Sequence, residues 1–141
     1  MIEPSLWSKL HGASTHFPIA LILVSAFCDT VRFLSRDDEF RRKLRFAGTL
    51  SLALGAVGSY GAVLSGLIIA HWQIWGHETL LRHHQFVWPA FALMTGLAAW
   101  RAFTPAKVSP RADAIYLSLL LIAAAVMSGA GYWGGELFSE G

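Results

Sequence analysis

Four long apolar runs, separated by short charged blocks, organise the 141-residue chain. They cover residues 16–34, 46–70, 84–100 and 114–133, and within each the apolar residues are continuous. A bilayer core about 30 Å thick is crossed by about 20 residues of helix. In lipid a single segment satisfies its backbone polar groups only as a helix. The alternation of a lipid-facing β-strand is absent from these runs. The pattern predicts an all-α fold, an integral membrane four-helix bundle forming a single domain over residues 1–141. Pro18 is expected in the first turn of its helix, where a missing N–H costs little. Pro89 falls inside the third helix and is expected to kink it.

Composition agrees with this pattern. Hydrophobic residues make up 55% of the chain and charged residues 14%, whereas a soluble domain carries about a quarter charged residues. A net charge of +2 raises the question of nucleic acid, but the cations flank the apolar runs, where they orient a membrane protein. The first connector holds Arg36, Arg41, Arg42, Lys43 and Arg45, with Arg32 just inside the span; the third holds Arg101, Lys107 and Arg111. The other face has only Lys9 and Arg82. The positive-inside rule therefore places the first and third connectors in the cytoplasm. Both termini and the loop over residues 71–83 are expected outside, on the periplasmic side of a Gram-negative inner membrane. With Lys9 alone before the first run and no small-x-small cleavage site after it, that run is expected to remain as a span. The single cysteine, Cys28, excludes an internal disulfide, a CxxC motif and a covalent c-type haem.

Two features inside the spans call for a partner. Asp29 lies one turn from Arg32, and a local ion pair is its expected role. The second span is rich in small residues, among them Gly55, Gly58, Gly61 and Gly66. These read either as a close-packing seam between helices or as room for a flat cofactor.

The six histidines carry the candidate chemistry. On the expected topology His11, His16, His71, His77, His83 and His84 all fall at the outer ends of helices or in the outer loop. Imidazole-rich, thiolate-poor surroundings suit haem iron, copper or zinc. A six-coordinate b-type haem needs two imidazoles from different helices at the same depth. His16 opens the first span and is the leading axial candidate. His83 and His84 open the third; adjacent helical residues lie about 100° apart, so at most one faces the bundle axis, and His84 is taken as the axial partner of His16. His71 and His11 complete the cofactor-binding set, while His77, beside Gly76, is expected to be solvated. Trp7, Trp72, Trp75, Trp88 and Trp133 lie along the same layer, as an aromatic belt does in any membrane protein.

The run His11-Gly12-Ala13-Ser14-Thr15-His16-Phe17-Pro18-Ile19-Ala20 resembles the opening of a family of bacterial membrane proteins, domain of unknown function 2231. That family typically reads His-Pro, three residues to a second His, then Phe-Pro-Ile-Ala. The Gly-rich second span, the histidine at the start of the third (His83 or His84) and the ending Gly134-Gly135-Glu136-Leu137 match in the same order. The chain departs from that pattern with Gly12 for the proline, His71 where many members carry an acid, and Phe138-Ser139 where an aromatic pair is usual. Similar proteins are joined to or encoded beside Rieske and c-type cytochrome modules, so the resemblance implies an electron-transfer setting.

Three functions follow as expectations. The first is a membrane-anchored b-type cytochrome subunit with haem b, passing electrons between a periplasmic redox partner and quinone or another haem. The second is a copper or zinc site built from His16, His71 and His83 or His84, with Glu136. The third is an anchor or assembly subunit whose outer rim docks a periplasmic protein. The sequence offers no recognisable nucleophile for hydrolysis.

Overall fold

In the computed structural model, which describes residues 6–105 and 108–140, four helices follow one another through short connectors. They are α1 (Leu6–Leu34), α2 (Asp38–Ile69), α3 (Glu78–Phe103) and α4 (Pro110–Glu140). All four are long and apolar enough to cross a bilayer, and no strand occurs among the described residues. Lys107, Gly141 and the side chain of Phe138 lie outside what is described.

The helices outrun the apolar runs that predict them because polar residues at their ends are locally satisfied. Asp37 caps α2, its carboxylate accepting the Phe40 N–H at 2.7 Å, and Asp38 and Glu39 occupy the favourable first turn. The Ser109 hydroxyl accepts the Ala112 N–H at the start of α4, and Pro110 takes the first helical position. In α1, the hydroxyls of Ser14 and Thr15 donate back to the carbonyls of His11 and Gly12. Helix α1 therefore begins at Leu6, and Pro18 sits in its interior, not in its first turn. There it is buried against α2, its ring beside Gly58.

Helix α1 packs most extensively on α2, and α3 on α4; the two hairpins meet through α1 with α4 and α2 with α3. The chain is thus an up-down ring in which α1 faces α3 and α2 faces α4 across the axis. Every histidine except His16 lies in the first two turns of α1 or α3 or in the loop between α2 and α3. One end of the bundle is therefore the histidine end, and the α1–α2 and α3–α4 turns form the arginine end.

The small residues of α2 form a packing seam. A side chain at Gly55 would press on Leu21 and Met94, and one at Gly58 would clash with Phe17, whose ring lies within 2.9 Å. Gly61 has open space around it.

The buried positions reveal a repeat. A shift of 72 residues carries Pro18, Ile22, Ser25 and Asp29 of α1 onto Ala90, Met94, Leu97 and Arg101 of α3, all of them buried. A shift of 68 carries Gly48, Leu52, Gly55, Ala56, Ser59 and Ala62 of α2 onto Tyr116, Leu120, Ala123, Ala124, Met127 and Ala130 of α4, again all buried. The second hairpin repeats the burial register of the first about a pseudo-two-fold axis running along the bundle. Both halves run in the same direction across the membrane, the parallel type of internal repeat.

Candidate functional site

At the histidine end the repeat becomes chemical. His11 on α1 places Nδ1 3.0 Å from the carbonyl of Ala62 and 3.1 Å from the Ser65 hydroxyl, both on α2. His83 on α3 places Nδ1 3.0 Å from the carbonyl of Ala130 on α4. The two histidines are related by the 72-residue shift, and their two carbonyl acceptors by the 68-residue shift. Each ring also lies over a glycine one turn further along, Gly66 for His11 and Gly134 for His83. A Cβ at Gly66 would come within 2.9 Å of the His11 ring, and one at Gly134 within 3.2 Å of the His83 ring.

A carbonyl only accepts, so each Nδ1 carries the proton and donates it. In the neutral rings this leaves both Nε2 atoms with free lone pairs. A metal-ligating histidine usually has this arrangement, its other N–H held by a carbonyl that fixes tautomer and ring orientation. His11 and His83 are half-buried and lie within electrostatic range of one another, on helices that face each other diagonally.

The other candidates have different surroundings. His84 is buried, with Nδ1 donating to the Trp75 carbonyl at 3.2 Å. Its ring lies 5.7 Å from that of His83 and 6.0 Å from that of Trp88. Trp88 in turn donates to the Ile74 carbonyl at 2.8 Å. These two side chains hold the loop between α2 and α3 against the first turns of α3. The loop is tight: His71, Trp72 and Gly76 have φ of 50°, 64° and 67°, and a Cβ at Gly76 would also collide with Leu80. His16 is exposed on the outer surface of α1, on the flank away from Pro18 and Ile22, because the five residues separating it from His11 turn it to another face. His71 and His77 are exposed. The structure therefore sets His83 beside His84 and within electrostatic reach of His11, whereas His16, His71 and His77 are exposed. Among the described residues, no three His, Cys, Asp or Glu side chains gather at metal-binding spacing.

The chain belongs to the DUF2231 family. That family, described as predicted membrane proteins, matches residues 8–141. No curated protein and no solved structure gives a significant match. With four spanning helices the family member is a multi-pass protein of the lipid bilayer.

The opposite end holds a second polar constellation that sequence reasoning glimpsed only in part. Asp29 is fully buried and accepts from Arg32 Nε at 2.7 Å, the local pair expected from their spacing. Its second oxygen accepts from Arg101 of α3. Arg32 also grips Asp113 of α4 with two bonds, at 2.9 and 2.7 Å. Gly48 of α2 faces Asp29, where a Cβ would come within 3.2 Å of its carboxylate. The Arg101 guanidinium lies over the Tyr116 ring, 4.1 Å from its centroid. In the sequence Arg101 reads only as a topology signal, and Asp113 carries no signal of its own. Their signal was the register: Asp29 and Arg101, and likewise Arg45 and Asp113, are equivalent positions of opposite charge.

Proposed function

We propose that this DUF2231 protein is a membrane-bound electron-transfer subunit of the b-cytochrome type, with haem b held by His11 and His83. The observation that supports this pair over His16 and His84 is the matched geometry of two imidazoles on diagonal helices. Each has Nδ1 fixed to a carbonyl of its own hairpin and Nε2 left free. Haem iron would supply a one-electron couple, the chemistry that a bis-imidazole donor set without thiolate suits.

The chain's own part is positional. The carbonyls of Ala62 and Ala130 and the Ser65 hydroxyl hold the rings in one tautomer. Gly66 and Gly134 leave the space in which those rings lie. His84 and Trp88 fix the adjoining loop, whose tip exposes Trp72, Ile74 and Trp75. On the positive-inside rule this end faces the periplasm of a bacterial inner membrane. A c-type cytochrome or Rieske-like partner would meet that exposed tip and exchange electrons there, with quinone or another haem as the second partner. The same tip favours the anchor reading, in which docking is the whole function. A copper or zinc site is the alternative reading of the same imidazoles.

The test is the visible spectrum of purified protein, oxidised and dithionite-reduced, after expression with haem supply. A Soret band and a split α-band lost in His11→Ala and in His83→Ala, but kept in His16→Ala, is the expected result. Fully folded protein with no Soret band after haemin addition would rule out the cytochrome reading and leave the anchor.

A further inference from the structure

Helix α3 meets its surroundings unlike the other three. It is the least apolar of the four spans and also the least buried, although a span with fewer apolar residues gains least from facing lipid. Its outward positions account for the contrast. Gln85, Pro89, Ala92, Gly96, Ala99 and Phe103 are all exposed, and their alternating spacing of four and three places them on one stripe of the helix. A Cβ at Gly96 would have open space around it. Among the described residues α3 exposes no large apolar side chain before Phe103, whereas α1, α2 and α4 turn Phe27, Val57 and Ile122 outward.

Two polar groups on the same stripe add a demand that small residues alone do not make. Pro89 has no N–H, so the Gln85 carbonyl one turn before it lacks its helical donor. The Gln85 side chain is exposed on that turn, inside the apolar run, and its amide bonds to nothing among the described residues. A lone amide in apolar surroundings is costly, and a carbonyl freed by proline in a spanning helix is met by a neighbouring helix, a side chain or ordered water. Beyond the apolar run the stripe continues through Arg82 to Glu78, both exposed, a cation and an anion one turn apart.

We infer that this stripe packs against the same stripe of a second copy of the chain, about a two-fold axis along the membrane normal. Complementarity names the occupant. Both copies hold one orientation in the membrane, so the axis brings equal depths together, Gly96 to Gly96 and Gln85 to Gln85. An amide both donates and accepts, and each Gln85 can donate to the carbonyl freed in the other copy. At the outer end each copy offers a cation and an anion to the anion and cation of the other. The small residues Ala92, Gly96 and Ala99 let the two backbones approach closely, which is what joins helices in lipid. The stripe lies outside the four-helix core and does not rest on the cytochrome reading.

The experiment joins disulfide cross-linking in native membranes to energy transfer between donor- and acceptor-labelled copies in phosphatidylcholine vesicles. In a Cys28→Ser background, Ala99→Cys should cross-link to a dimer on mild oxidation, while Leu121→Cys, exposed on α4, should not. Gly96→Leu should abolish energy transfer at lipid dilutions where the unaltered chain retains it. Gln85→Leu should weaken the association about threefold, the usual worth of one hydrogen bond between helices in lipid. Gly61→Leu, at a position on α2 with open space around it, should leave the transfer unchanged. Nothing lies within 4 Å of a Cβ at Gly96, so Gly96→Leu leaves the packing within one copy intact, and the cross-linking arm needs no bulky change. Equal cross-linking of Ala99→Cys and Leu121→Cys, or equal transfer in Gly96→Leu and Gly61→Leu, would overturn the dimer, since random collision would then explain both. Cross-linking of Ala99→Cys to a chain of different mass, with none to itself, would reject the second copy in favour of another subunit.

Discussion

Asp29 and Arg101 occupy equivalent positions in the two hairpins, and the two side chains are bonded to each other. The repeat thus places an anion where its copy places a cation, and the pseudo-symmetry axis passes beside the ion pair they form. Burial makes this pair consequential. Leaving one charge alone in an apolar interior is far costlier than replacing the whole pair by apolar residues.

Removing one partner is therefore the sharpest stability test. Asp29→Asn strands Arg101 and deprives Arg32 of one of its two carboxylates, and a loss of about 3–5 kcal/mol is expected for a broken buried pair. Arg101→Gln should cost a similar amount. Because both variants remove the same interaction, the double variant should lose clearly less than the sum of the singles. Denaturant unfolding in detergent, followed by tryptophan fluorescence, reads all three. Additive losses would mean that the two residues act separately.

At the histidine end the glycines are the gentler probe. Gly66→Ala forces the His11 ring away from its place, because the new methyl would lie 2.9 Å from Cε1. Gly134→Ala does the same to His83 at 3.2 Å. Ser65→Ala leaves the ring in place and removes one of its two acceptors. Changes to groups that orient a metal ligand typically cost roughly 10–100-fold in affinity. Haemin titration of the purified protein should show a loss of that size for Gly66→Ala and Gly134→Ala, and a smaller one for Ser65→Ala. Gly61→Ala, at a position with open space around it, should titrate like the unaltered protein.

How far the sequence alone could go depended on the kind of signal. Four apolar runs of spanning length sufficed for the bundle, because length and continuity are one-dimensional properties. The Asp29–Arg32 pair was legible for the same reason, since residues three apart lie about one helical turn from each other. Which imidazoles hydrogen-bond across to a neighbouring helix was not. His16 opens an apolar run and so looks like a ligand, but the helix starts ten residues earlier at Leu6, and five residues of rotation separate His16 from His11. The ends of α1 and α2 are built from polar residues satisfied by local bonds, which hydropathy does not register. Arg101 and Asp113 needed the three-dimensional register, since their partners lie 72 and 81 positions away. The repeat that relates them survives mainly as a burial pattern, with few matching letters to reveal it.

On the proposed reading His84 is a structural histidine beside a ligating one. Its ring donates to Trp75, and the neighbouring Trp88 donates to Ile74, so both hold the 70–77 loop. His84→Ala should let that loop open more often. Each such hydrogen bond contributes about 1 kcal/mol, so amide exchange over residues 73–77 should accelerate about fivefold. Haem content should stay close to that of the unaltered protein. A haem loss in His84→Ala as complete as in His83→Ala would make His84 the axial residue instead.

The repeat makes a last prediction about assembly. Within a hairpin the helices pack closely through glycine and alanine, whereas the hairpins meet each other over less surface, helped by the Asp29–Arg101 and Arg32–Asp113 pairs. Each hairpin carries its own connector and one helix start capped by a side chain, α2 by Asp37 and α4 by Ser109. Cutting the chain between Gln73 and Ile74 leaves every helix intact, and in lipid two hairpins can insert separately before they associate. Co-expressed halves carrying residues 1–73 and 74–141 should therefore co-purify through a tag on either half. Introducing Asp113→Asn together with Arg101→Gln in the second half should abolish that recovery, because both ion pairs between the hairpins at the arginine end are then gone. Recovery unchanged by the double substitution would show that apolar packing alone joins the hairpins.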